Sequence, residues 1–493
     1  MTQETPHPFA PPPQLRLGVH DRSRAEWICT VPMASPGQVH NYEVTLELQI
    51  PDQLWVPHDP WQRYQVRTRL TSPSLQAPLA SRDPRDRLRL RALAVAHALK
   101  LAQKEPVLLL RQVKNRDGVL QPAEAAQLVT WMHAAMAQAE EVRTELANVV
   151  APRDPSLERE RDLADEYVSG HVLLLVARLR AALNRRVQRR LVLVDGATET
   201  VLEALKTILQ SEQNHRLHHQ FRQPAPRTRA EVQAYVNRSA QLKKHFQQAL
   251  FLDAAAYMLD DRLRNWIAAA MAMVAAVFYF AWQVSVLNAV SAGATTVSLM
   301  LAALVGALVY AAKDRIKEVG RTWLADKLKH TYADRVVHLH LQERMDPQRV
   351  QLALARETIT FQRHLEADRF NPELGKTSLV HHIVIRERLR HAGLVQLHEQ
   401  GLVGLKHVFR YDLTPFLAKL DDSQKHVPVL ADGAVQIRGG SRVYALPIVV
   451  KLSRTDGRKD QELLTQRGHL LLRGRSVVRF VTQPDANRAN LAT

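Results

Sequence analysis

The chain has 493 residues, and its 67 lysines and arginines against 49 aspartates and glutamates leave a formal charge of +18. That length accommodates two to four domains, and a hydrophobic share of 46% excludes both wholesale disorder and a polytopic transporter. The single cysteine, Cys29, excludes an intrachain disulfide and a cysteine-built zinc site and matches usage in a reducing compartment.

Residues 1–25 carry consecutive prolines at 11–13 and lack the apolar core of a signal peptide, so a disordered arm is expected there. An α+β region is expected over 26–265. Residues 27–33 suit a strand and Ser35-Pro36-Gly37 a turn. Tyr42, Val44, Leu46, Leu48 and Ile50 alternate with Glu43, Thr45, Glu47 and Gln49, as in a strand with one buried face. Another strand is expected over 64–70. Helical spacing takes over after Asp83, with helices expected over 84–105, 122–150, 156–186 and 198–213. A last one, 229–263, is expected to run on into the apolar segment that follows.

That segment opens two stretches without Asp, Glu, Lys or Arg, 266–287 and 292–312, each rising more than about 30 Å as a helix, enough to cross a bilayer core. The link Asn288-Ala289-Val290-Ser291 has the length that joins antiparallel helices, so 266–312 is expected to be a transmembrane hairpin. Arg262 and Arg264 precede it, Lys313, Arg315, Lys317, Arg321, Lys327 and Lys329 follow it, and the link is uncharged. By the positive-inside rule both termini are then cytoplasmic, at the inner membrane. Small residues recur every four positions, at Ala268, Ala272 and Ala276, at Ala302 and Gly306, and at Ala303 and Ala307. Such faces suit packing within the hairpin or homo-oligomerisation.

Residues 313–493 are expected to form a second α+β region. It starts with a basic helix, 313–329, able to meet anionic headgroups. A strand at 336–341 and a helix at 347–367 follow. Strands are then expected at 379–386, 405–411, 427–430, 435–438, 442–452 and 469–481, with a short helix at 415–420. The fold class is α+β, with two cytoplasmic α+β regions flanking a two-helix transmembrane hairpin. Whether the two regions share a sheet is left open by the pattern.

The chemistry-bearing residues are sparse. Gly375-Lys376-Thr377 ends like a phosphate loop, but Phe370 stands where the opening glycine belongs. His215, His218 and His219 are the candidate metal ligands, since the first and last share one face of a helix. His338 and His340 share one side of a strand, His381 and His382 diverge, and no neighbouring carboxylate completes either set. Asp260-Asp261 and Asp421-Asp422 suit helix ends and turns. Basic runs at 85–91 and 185–190 lack interleaved aromatics, which favours anionic lipid over nucleic acid as counter-charge. No cofactor is expected. The layout, with the phrases HNYEVTLELQIP and SRVYALPIVVKL, is similar to that of bacterial membrane proteins with a short hairpin between cytoplasmic domains, a likeness that implies no activity. The expected function is a non-enzymatic, membrane-anchored interaction or regulatory module. The alternatives are a membrane-bound metal-dependent hydrolase using the histidine cluster and a pore subunit.

Overall fold

Alternating apolar residues set the first strands of the computed structural model, which describes residues 10–76, 83–116, 119–149, 154–188, 196–222, 228–291, 296–329, 333–342, 350–367, 377–420, 424–431, 434–456 and 459–482. Leu15 and Leu17 turn inward on β1 (Gln14–Val19), and Ala25, Trp27, Cys29 and Val31 do so on β2 (Arg24–Pro32). On β3 (Val39–Pro51) the inward set is Tyr42, Val44, Leu46, Leu48 and Ile50. Residues 14–25 are thus strand and turn, not part of a disordered arm. The prolines stop at 13, and LRLGV pairs residue by residue with β2. Residues 1–9 of the expected arm lie outside the described residues. Gly37 takes φ 79° between β2 and β3, the left-handed conformation such a turn needs and glycine adopts without strain. The short α1 (Pro60–Arg63), capped by Asp59 accepting from the Trp61 N–H, leads into β4 (Tyr64–Leu70).

Helices follow. α2 (Pro84–Ala102) begins with Asp83 accepting from the Arg85 N–H and proline in the first turn. α3 (Lys104–Arg116) contains Pro106, which lies early enough in the helix that its missing N–H breaks no bond. α4 (Pro122–Val149), α5 (Pro155–Gln188), α6 (Gly196–His218) and α7 (Arg229–Gln248) come next, the last opened by a Thr228–Glu231 capping box. Their apolar faces share one core that includes Leu93, Met132, Val142, Val168 and Leu205. The expected helix 229–263 is interrupted, because the chain turns at 249–252 and extends as β5 (Asp253–Met258).

α8 (Leu259–Ser291) runs through the expected link, since Asn-Ala-Val-Ser offers nothing that stops a helix, and α9 (Thr296–Lys329) returns beside it. Trp282 lies against Gly306, where an added Cβ would come within 2.6 Å of the indole. Tyr279 meets Tyr310 edge-on at 6.0 Å. Gly306 therefore serves contact inside the pair. Among the described residues one stretch, Asn265–Asn288, is long and apolar enough to cross a membrane. α9 does not qualify, so the expected two-helix span is seen only as a packed helix pair.

The remainder is mostly strand. β6 (Arg335–His340), β7 (Gln351–Ala367) and β8 (Thr377–Ala392) lead to α10 (Val395–Glu399), β9 (Gly404–Asp412) and α11 (Thr414–Leu417). β10 (Gln424–Ala431), β11 (Ala434–Ser441), β12 (Val443–Asp456), β13 (Lys459–Arg473) and β14 (Ser476–Thr482) complete the chain. The helix expected over 347–367 is strand from Gln351 onward. Thr358, Ile359, Thr360 and Phe361 favour extension, and β7 is paired on both edges, by β6 and β8. The strand expected at 469–481 is two strands, folded back at Gly474.

Every named pairing is antiparallel, in a four-stranded sheet ordered β1-β2-β9-β4 and an eight-stranded sheet ordered β14-β13-β12-β3-β8-β7-β6-β5. Here β3 lies between β8 and β12, and β2 lies beside β9. Segments before and after the α8–α9 pair thus share both sheets. The sheets bury their facing sides in one core, where Trp27 stacks on Phe409 at 5.4 Å and on Tyr64 at 6.1 Å. Pro447 lies opposite His469 of β13, one residue before the pairing of β12 with β3 begins at Ile448. Among the described residues, β10 and β11 pair only with each other.

Candidate functional site

The histidines singled out in the sequence lie at the end of α6. His215 and His219, one turn apart, bring their rings to 4.5 Å. Asp165 of α5 reaches His215 Nε2 at 3.0 Å, and ligand atoms of Asp165, His215 and His219 fall within 4.8 Å of one another. His218 packs edge-on against His219 at 5.1 Å but does not join that set. Two of the three expected ligands therefore converge, and the third position is taken by a carboxylate 50 residues upstream of His215, which no local spacing could reveal.

Arg143 of α4 already occupies this group. It donates to Asp165 Oδ1 at 3.0 Å, to Glu212 Oε1 at 2.7 Å and to Glu140 Oε1 at 2.6 Å. Burial pushes the Asp165 carboxyl up, but the His215 hydrogen bond and the Arg143 guanidinium outweigh burial and hold it below the usual range. A dication here would sit beside a fixed guanidinium and compete with it for the same oxygens. The arrangement works as a knot joining α4, α5 and α6. A second set extends it, with Glu160 accepting from Arg89 at 2.7 Å and bonded to His245 at 2.8 Å.

A denser polar group lies between the sheets. Register sets Arg335, Glu357 and Glu387 side by side on β6, β7 and β8. Arg335 pairs directly with Glu357 and lies over the Trp61 ring at 4.9 Å. From the facing sheet the Tyr64 hydroxyl donates to Glu387 Oε2 at 3.4 Å, and His407 Nδ1 lies 4.0 Å from Glu387 Oε1 and 2.9 Å from Thr68 Oγ1. Burial, then the neighbouring Glu357 charge, pushes Glu387 well above the carboxylate range. Burial raises Glu357 as well, against the pull of Arg335, so the two carboxylates confront one guanidinium and titrate as a pair, with Glu387 the more strongly raised. Acid, base and hydroxyl are present, but Glu357, Glu387 and His407 are only 1%, 2% and 1% exposed. No substrate reaches them in this conformation, and the group is a polar layer inside the core.

Burial also forces His407 down to about 4 and His391, with His40 as a further cause, down to about 3, from 6.5. Each is neutral in the native state, while the unfolded chain takes up a proton near 6.5. Stability is therefore lost as pH falls from about 6.5 toward the native values. A urea-midpoint series over that range is expected to show about 3 kcal/mol less acid-dependent loss in His407→Gln than in the parent.

Comparison with protein-family models, curated proteins and solved structures finds no match.

The other sequence candidates resolve individually. His381 stacks on Trp55 at 4.1 Å and bonds to Asp52 Oδ1 at 2.6 Å, while its neighbour His382 turns to the opposite face of the sheet. His338 is held by hydrogen bonds to Tyr257 at 3.1 Å and Gln351 at 2.8 Å. Cys29 is fully buried, which pushes its thiol far up and leaves it unreactive. Gly375-Lys376 and Asp421-Asp422 lie outside the described residues.

Proposed function

We propose that the chain is an integral protein of the inner (cytoplasmic) membrane, in which the hairpin at 266–312 anchors the α+β body to the cytoplasmic face as a non-enzymatic interaction or regulatory module. The observation that carries this reading is Asn265–Asn288, of which only 11% of the most apolar stretch is buried. A core helix of a soluble protein has its apolar side chains covered. Here Trp266, Met273, Val277, Phe280 and Leu287 of α8 and Met300, Leu304 and Leu308 of α9 face outward, and lipid is the solvent that suits them. Basic residues on both flanks support the cytoplasmic placement of both ends.

The non-enzymatic part rests on the site geometry. The histidine knot is saturated by Arg143, and the buried carboxylate layer is closed to substrate. An interaction role is supported by the β10–β11 hairpin, which exposes Leu430, Val435 and Ile437. Flotation of lysate on a density gradient and extraction at alkaline pH test the anchor. The full chain is expected to float with membranes and to need detergent for release, with both termini protected from protease added outside spheroplasts. Recovery in the detergent-free soluble fraction would sink the proposal.

A further inference from the structure

The outer face of the large sheet carries a second constellation that sequence spacing did not single out. His364 and Glu366 lie two apart on β7 and so share a face. His382 of β8 is paired with Gln362, diagonal to His364 across the ladder, close enough for side chains to meet. His364 Nε2 lies 2.9 Å and His382 Nε2 lies 3.5 Å from Glu366 Oε1, and the two imidazoles approach to 4.5 Å. Ligand atoms of all three fall within 4.8 Å of one another.

From this geometry we infer that His364, Glu366 and His382 form a binding site for a divalent transition-metal ion of the zinc class, independent of the membrane reading. Zinc bonds of ~2.0–2.2 Å to nitrogen and oxygen place tetrahedral donors roughly 3.3–3.4 Å apart. The observed 2.9 and 3.5 Å separations bracket that edge. Two imidazoles and one carboxylate match the donor preference of such ions and leave at least one coordination position open. The Gln49 amide donates to Glu366 Oε1 at 3.1 Å from β3, an outer hydrogen bond that fixes the carboxylate as ligand-orienting groups do. The contrast with the α6 cluster is electrostatic. Asp165 is bonded to Arg143, whereas among the described residues the polar partners of Glu366 are two histidines and an amide. At 36%, 20% and 16% side-chain exposure, His364, Glu366 and His382 are reachable from solvent yet partly dehydrated.

The test uses the full chain in detergent, stripped by chelator, then titrated with Zn²⁺ by calorimetry and with Co²⁺ by visible absorption. One ion per chain is expected. His382→Ala and Glu366→Gln should each weaken Zn²⁺ binding at least ten-fold and abolish the cobalt ligand-field bands, and Gln49→Leu should cost about ten-fold. His219→Ala should leave both signals unchanged. His364→Asn repeats the test if either sheet variant fails to fold. Absence of binding, binding indifferent to the sheet variants (an adventitious ion only), or loss confined to His219→Ala would overturn the assignment.

Discussion

Replacing Arg335 by alanine is expected to lower the stability of the α+β body by about 3–5 kcal/mol, the cost of leaving a buried charge without its counter-ion. The guanidinium is the cation paired with Glu357, which is 1% exposed and stands beside Glu387. Arg335→Ala combined with Glu357→Gln should recover much of the loss, because a neutral amide needs no cation. The two changes are thus expected to be strongly non-additive in chemical denaturation. Glu387→Gln separates the roles further. Its native carboxyl sits well above the usual range, so its contribution to stability is complete below the unfolded value near ~4.3 and declines as pH rises toward the native one. The glutamine variant should match the parent in acid and exceed it at neutral and alkaline pH. A melting curve for Arg335→Ala that superimposes on the parent would show that the layer does not depend on this cation.

Introducing arginine at both Val277 and Phe280 is expected to displace the protein from the membrane fraction. The two side chains are 64% and 66% exposed near the middle of Asn265–Asn288. Each arginine at the centre of a span costs about 2.5–3.5 kcal/mol for insertion, so the pair costs roughly 5–7 kcal/mol. Leucine at the same positions should change nothing. A water-exposed helix predicts the reverse, since charge on a solvated face raises solubility without moving the protein between fractions. Unchanged flotation of the double arginine variant would therefore count against a lipid-facing surface.

Legibility in the sequence follows how local each determinant is. β3 and β4 are readable because alternation and burial coincide within a single segment. β5 is not, because Ala254, Ala255 and Ala256 favour a helix on their own, and the strand exists through its ladder with β6, some 80 residues later. β7 misleads for the same reason, since leucine, alanine, arginine and glutamate spaced as in LALARE suit either structure until neighbours on both sides claim the backbone. The α6 histidines are visible through their four-residue spacing, but Arg143 and Asp165 come from other helices. His364 and His382 belong to different strands, and their meeting depends on register, which no short window contains. The buried Arg335–Glu357–Glu387 row is hidden likewise: each residue looks like an ordinary surface charge until the facing sheet covers it.

The position of β3 between β8 and β12 also constrains biosynthesis. Both flanks of β3 stay bare until the ribosome has added residues 377–456, roughly 15–80 s after β3 itself at ~5–20 residues per second. Both apolar helices emerge during that interval. If the helices insert as proposed, delivery to the bilayer would precede closure of the sheet; in either case the nascent chain carries unsatisfied backbone that invites chaperone binding or aggregation until its last third arrives.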